Sequence, residues 1–429
     1  MKKQQLCGYI VFCCLILGGI FESGAQIHTY FYVGNNGGVG SGTPEDPYDA
    51  SGEHFDPGLA AQLPAGPDGI IVHLAPGTYY TAGNTLSSLY EGVSIVGSGS
   101  LNTEIKLNVA PASLGEKTML YLSGDVALKS IKLNCNSTDW PTVRAKYNGV
   151  GLASGSLVAD DLVITNLRGD YAAGLEGFGF SVNHTSVSKP SSFNNIRVLE
   201  IQADVEGTPA NRAYVSPLAC GNYTDQYVYI NDLHIDTGAN RAACAFSPYG
   251  RNYIVRNVSN TGMLGAGMWA DADHSGAPTV ENVTWIGGKI VARYAIAFGV
   301  ALSTAHLKVS NVTVTDVECD HGPVGATAAS EDVDGILLWG DGVEVDGLFV
   351  NRLKCSWPAV SLPYSTSTFP YWHMGSITVN GVMSAKNIVI QDSVFIPAHT
   401  ASRDLLHRNW VVVSGAAITP PTLINCRDR

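Results

Sequence analysis

Two aspartates stand at the same offset from two tryptophans: Asp271 follows Trp269 by two residues, and Asp341 follows Trp339 by two. Aligning the short apolar segments that contain them also brings Phe246 and Phe298 into line. Residues two apart on a strand share a face. This alignment therefore places Trp269, Phe298 and Trp339 in one outward row, with Asp271 and Asp341 beside it. A row of rings is a platform for the flat faces of sugars. Two steps of ~4.8 Å between stacked strands would hold the carboxylates roughly 10 Å apart. Inverting hydrolysis of a glycosidic bond needs an acid and a base about 6.5–9.5 Å apart, a range that side-chain bending reaches. The alternative is a buried aromatic ladder with two solvated turn aspartates. Asp271, Asp273 and His274 lie together in segment 270–276 and suit proton transfer. Their carboxylates, and those of Glu331, Asp332 and Asp334, make calcium a candidate cofactor, since calcium takes oxygen ligands.

A second set of residues suits different chemistry. Asn211-Arg212-Ala213 and Asn240-Arg241-Ala242 repeat, and Arg293 aligns with them just before an apolar segment. Stacked like charges destabilise a sheet unless they are paired. Nearby aspartates would pair them, and so would the carboxylates of a uronate polymer. Elimination from such a polymer also needs a group to take a proton, and Tyr294 and His274 are the candidates. The run Gly37–Gly42 lacks the Lys-Ser/Thr of a phosphate loop.

The elements that position these residues are short strands in a degenerate repeat. Val-Glu-Asn-Val-Thr-Trp (280–285), Val-Ser-Asn-Val-Thr-Val (309–314) and Val-Asp-Gly-Leu-Phe-Val (345–350) share a frame with a turn-forming residue inside it. That position falls at Asp161, Asn195, Asp232, Asn257, Asn282, Asn311, Gly347 and Asn387, with gaps of 25 to 40 residues. A varying period around a fixed local pattern describes constant coils with inserted loops. Asn and Asp tolerate left-handed backbone, and an Asn amide can bond to its equivalent one coil away. A second apolar segment follows each of these, including those with Phe246, Trp269, Phe298 and Trp339. Strands this short and this regularly spaced predict a parallel solenoid.

The head of the chain resembles the secreted right-handed parallel β-helix (pectate-lyase-like) superfamily. The resemblance is carried by Tyr32-Val33-Gly34-Asn35-Asn36-Gly37, by Gly42-Thr43-Pro44-Glu45-Asp46-Pro47-Tyr48, and by an apolar strand running into Pro76-Gly77-Thr78-Tyr79. Residues 56–63 match its short capping helix, which would cover the open end of the solenoid. The resemblance implies an all-β, single right-handed parallel β-helix with an N-terminal helical cap. The superfamily includes polysaccharide lyases, glycoside hydrolases, epimerases, phage tail depolymerases and adhesins, so it points to no one activity. The expected organisation is 1–25 signal peptide, 26–105 cap and first coils, 106–364 coils, and 365–429 last coils or C-terminal cap.

The leader reading rests on Lys2 and Lys3, an apolar run over 6–21, and small residues at Ser23 and Ala25. Its removal implies secretion, to the extracellular space or a periplasm, with no membrane span in the remainder. A net charge of −12 argues against nucleic acid as partner. Six cysteines follow the leader: Cys135, Cys220, Cys244, Cys319, Cys355 and Cys426. Their wide spacing in sequence is unlike a zinc site, so no metal site is expected among them. Cys319 and Cys355 each stand eight residues after a turn position, in adjacent coils, which predicts a disulfide. The alternative is an inward thiol stack. The sequons at Asn257, Asn282 and Asn311 coincide with turn positions, so the repeat accounts for them. Together these features favour a secreted carbohydrate-active protein with polysaccharide as partner. Inverting hydrolysis is carried by Asp271 and Asp341, with Asp273 and His274 in support. Trp269, Phe298, Trp339, Arg241 and Arg293 hold the sugar chain. The alternatives are a lyase on a uronate polymer and a non-catalytic glycan-binding or structural surface protein.

Overall fold

A computed structural model describes residues 28–33, 41–49, 70–83, 92–205, 212–272, 278–300, 305–321, 334–357, 377–397, 411–414 and 418–428. Each strand pairs in parallel with its counterpart one coil later. Leu157–Thr165 pairs with Ser191–Leu199, which pairs with Val228–Asp271, then Thr279–Gly299, then Leu307–Asp320. The result is a right-handed parallel β-helix, as the repeat predicts. One interior runs its length, filled by Ile, Val and Leu from successive coils with Phe180, Phe193, Phe246 and Phe298 among them. The expected cap at 56–63 and the leader at 1–25 lie outside the described residues.

All eight turn positions read from the sequence have left-handed backbone, with φ from 50° to 89°. They form two columns, however, and not one. Asp161, Asn195, Asp232 and Asn257 share a corner of the coil that continues through Gly287, Asp316, Arg352, Asp392 and Asn425. Asn282, Asn311, Gly347 and Asn387 occupy a different corner, headed by Asn252. At all eight positions the left-handed residue is followed by a buried aliphatic side chain, so the local sequences of the two corners look alike. The amide ladder is present within each. Asn195 donates to Asp161 at 3.3 Å, Asn257 to Asp232 at 2.9 Å, and Asn311 to Asn282 at 3.2 Å.

Cys319 and Cys355 are register partners in adjacent coils, where the spacing places them. Both are nevertheless free thiols, so the predicted bridge is not formed. In-register parallel strands project their Cβ atoms side by side, whereas a disulfide needs them turned toward each other with a dihedral near 90°.

Candidate active site

One face of the helix is built from the strands Gly177–His184 and Val215–Asn222, the parts of Val228–Asp271 and Thr279–Gly299 that follow the corners, and Asp334–Trp339. Small residues at its centre (Ala219, Ala242, Ala243 and Gly265) leave a depression of about 540 Å³, within the usual size of a ligand cleft. A Cβ on Gly265 would lie 2.3 Å from the Ala243 carbonyl oxygen, so the close approach of these coils requires glycine there. Around the depression stand Arg212, Arg241, Arg293, Tyr171, Tyr214, Tyr249, Tyr294, Glu176, Asp271, Trp269 and Trp339.

The aromatic residues sit differently from the expected row. Phe298 is fully buried, in register with Ala270 and Leu338, and it points into the core. It binds nothing outside, which corrects its assignment as a platform residue. The alignment on aromatic residues was one position out: Trp269 is in register with Ala297 and Leu337, while Trp339 follows Gly299 and Asp271. The two indoles still meet on the outer face, with ring centroids 5.1 Å apart and planes at 57°. Gly299 makes this possible, because a Cβ there would come within 2.1 Å of the Trp339 ring. Both indoles rest on a small outer apolar cluster of Cys244, Ala266, Tyr294, Ala297 and Leu337.

Asp271 lines the depression and Asp341 does not. Asp341 lies exposed in the turn at 340–342, past the end of its strand. The predicted carboxylate pair is therefore not assembled: once the register moves by one, Asp271 aligns with Trp339 itself. The second carboxylate in the depression is Glu176, which accepts a hydrogen bond from Ser216. Asp273, His274, Glu331 and Asp332 lie outside the described residues, so the calcium expectation falls mostly there. Asp334 is fully buried and accepts from Thr378 at 3.0 Å.

Tyr249 donates to Asp271 at 3.0 Å. Burial first, and then the Asp271 charge, hold its phenol far above the usual range, so it keeps its proton. Cys244 lies between Ser216 and Ser247, 3.2 Å from each, and burial pushes its thiol up to about 12.

The arginines do converge. Arg212 and Arg241 are bridged in adjacent coils, as their repeated tripeptide predicts. Arg293 is displaced from that column and is in register with Gly265, but it opens on the same depression. Arg212 lies over the Tyr171 ring at 3.2 Å, and Arg293 donates to the Tyr294 hydroxyl at 3.1 Å. Asp204 organises this rim, accepting from the backbone N–H of Tyr171 at 3.1 Å and of Tyr214 at 2.9 Å. Glu176, Tyr171, Tyr214 and Tyr249 escape sequence reading. Each sits next to a glycine or a loop, outside the alternating pattern that marks a strand face.

The fold and this lateral cleft define a parallel β-helix with a charged and aromatic pocket on one face. No protein-family model and no curated protein matches the sequence. Among solved structures, the chain is similar to the A-module of the Azotobacter vinelandii mannuronan C-5 epimerase AlgE4, with 12% identity and a TM-score of 0.49, covering 88% of this chain and 91% of that one. The AlgE6 A-module from the same organism gives 13% identity and a TM-score of 0.38 over 88% and 95%. The catalytic unit of a GH87 α-1,3-glucanase from Streptomyces thermodiastaticus gives 14% and 0.32 over 87% and 65%. The assignment of fold rests on the coil register itself.

Proposed function

We propose that this is a secreted, carbohydrate-active protein whose cleft binds a uronate polysaccharide and cleaves it by β-elimination. The observation that carries the reading is the meeting of three guanidinium groups, from Arg212, Arg241 and Arg293, in one cleft of a chain with net charge −12. Guanidinium matches carboxylate in planar, two-point geometry, and Trp269 and Trp339 offer sugar-facing surface beside it. The reaction needs the proton on the carbon next to the carboxylate to leave. Charge neutralisation by arginine stabilises the carbanion that forms. Tyr294, ionised to the phenolate with its oxygen held by Arg293, takes that proton and becomes the neutral phenol. The bond to the glycosidic oxygen then breaks, and its electron pair leaves with the oxygen. Tyr249 supplies a proton to that oxygen, and a double bond remains in the ring.

A second reading keeps hydrolysis but changes the pair. Glu176 and Asp271 both line the cleft, and both charges act on the Tyr249 phenol. They would serve as acid and base in place of Asp271 and Asp341. The test is incubation of the protein with neutral and uronate polysaccharides, following ultraviolet absorbance and reducing ends together. Absorbance from an unsaturated uronate supports elimination, and reducing ends without absorbance support hydrolysis. Binding without either product leaves a glycan-binding protein and sinks both enzymatic readings.

A further inference from the structure

We infer that Cys319, His321 and Cys355 form a buried metal site for one zinc-type divalent cation, set behind the backbone that carries Arg293. Their ligand atoms all lie within 4.8 Å of one another, and all three residues are buried. The turn spacing places the two cysteines side by side although they are 36 residues apart, but it does not bring in the histidine. The coil register brings them together. Cys319 and Cys355 stack as register partners, and His321 follows Cys319 by two residues. Its backbone N–H extends the ladder to the Ser356 carbonyl at 2.8 Å, which keeps its side chain on the same face as Cys319, two residues before it.

The chemistry of the surroundings points to a cation. His321 Nδ1 lies 3.9 Å from the Cys319 sulfur and 3.0 Å from each of the Ala292 and Arg293 carbonyl oxygens. The Ala292 oxygen is also 3.8 Å from the Cys319 sulfur. Carbonyl oxygens only accept, so both take a hydrogen bond from Nδ1–H, and binding through this nitrogen would exchange that proton for the cation beside the two sulfurs. Zinc–sulfur bonds of about 2.3 Å place two sulfur ligands roughly 3.8 Å apart, so the stacked thiols need little adjustment. Two thiolates and a divalent ion sum to zero charge, the cheapest arrangement in an interior that excludes water. The column is closed by Ile290 on one side and Phe395 on the other, both buried. A soft cation with nitrogen and sulfur ligands fits this set better than calcium, which takes oxygen. Because Ala292 and Arg293 are the next groups outward, the cation would brace the strand that presents Arg293 and Tyr294 to the cleft.

The test uses the full chain, reduced and stripped with a chelator, titrated with cobalt(II) and then zinc(II). One cobalt per chain is expected, with sulfur-to-cobalt absorption that zinc abolishes. Cys319→Ser and Cys355→Ser should each lose that absorption and weaken zinc binding at least tenfold. Cys220→Ala removes another buried thiol and should leave both unchanged. X-ray absorption of the zinc-loaded wild-type chain reads the ligands without any substitution, and two sulfurs with at least one nitrogen are expected. Absence of sulfur-to-cobalt absorption in the wild type, its persistence in Cys319→Ser or Cys355→Ser, or a zinc shell of oxygen and nitrogen alone would overturn the site.

Discussion

Tyr249 hands its phenol hydrogen bond to Asp271 at 3.0 Å across the step between two coils, at the wall of the cleft. Burial and the Asp271 charge keep that phenol protonated through neutral pH. In the elimination reading it is the proton donor to the departing oxygen. Tyr249→Phe should therefore lower kcat by roughly 10²–10⁴-fold, the usual range for a general acid or base. KM should change little, because the ring and its packing remain. Steady-state kinetics on a uronate polymer measures this, and a kcat within threefold of wild type would remove Tyr249 from the mechanism.

Gly299 and Trp339 are adjacent in the same column, and the indole occupies the space a side chain at 299 would fill. Gly299→Ala should push the Trp339 ring away from Trp269 without touching any charged group. We expect a tenfold or greater loss of sugar affinity and a changed tryptophan emission, with the melting temperature little altered. Unchanged affinity in a folded variant would show that the indole pair does not contact the sugar chain.

The coil architecture was legible because its physical requirements are local. Each corner needs a left-handed residue, and Asn or Asp supplies it at Asp161, Asn195, Asn282 and Asn311 alike. The same economy hid which corner was which, since both use that device. The cleft was legible in part. Arg212 and Arg241 stand in a repeated tripeptide, and the bridge between them follows from it. Trp269 and Trp339 were read as outward-facing, and they are. Phe298 and Asp341 were misplaced because glycines at 265, 267 and 299 blur the alternation from which strand faces are read. The adjacency of Cys319 and Cys355 was legible from the turn spacing, whereas the places of Glu176 in the cleft and of His321 beside the thiols were not read from any local pattern.

The three arginines make a prediction about which polymer binds. Arg241→Ala should weaken binding of a uronate polymer tenfold or more, since a charged hydrogen-bonding partner is lost from a partly buried site. The same polymer with its carboxyls reduced to alcohols should bind wild type and variant equally. Binding of the uronate form should also weaken as salt rises, because the attraction is between charges. Calorimetry on the two polymers separates the effects. Equal loss on both would mean that Arg241 holds the cleft together and does not read the carboxylate.

Asp204 couples the cleft rim to pH. Burial raises its carboxyl above the ordinary value, outweighing the N–H donors of Tyr214 and Tyr171. A raised folded value means that folding favours the protonated form. That stabilisation is complete below the unfolded value of about 3.9 and is lost as pH rises through the folded value. Asp204→Asn abolishes this titration. The melting temperature of wild type relative to Asp204→Asn should therefore fall between pH 4 and pH 7. A difference that stays flat or grows with pH would mean the backbone donors dominate over burial.

The left-handed ladder predicts an asymmetric response at neighbouring coils. Asn311 adopts φ 53° and donates to Asn282 at 3.2 Å, and its side chain is otherwise exposed. Asn311→Ala should cost about 1–2 kcal/mol, the penalty for an ordinary side chain in left-handed backbone. Asn311→Gly should cost less than Asn311→Ala, because it keeps the backbone freedom and gives up only the exposed amide bond. Gly347 occupies the same corner one coil on, at φ 89°, and a Cβ there would meet nothing closer than 3.4 Å. Gly347→Asn should thus be accepted without loss. It should raise the melting temperature slightly, by restricting the unfolded chain and extending the ladder toward Asn311. Thermal melts of the three variants check the ordering. A Gly347→Asn chain less stable than Asn311→Ala would show that this corner is held by packing and not by the left-handed residue.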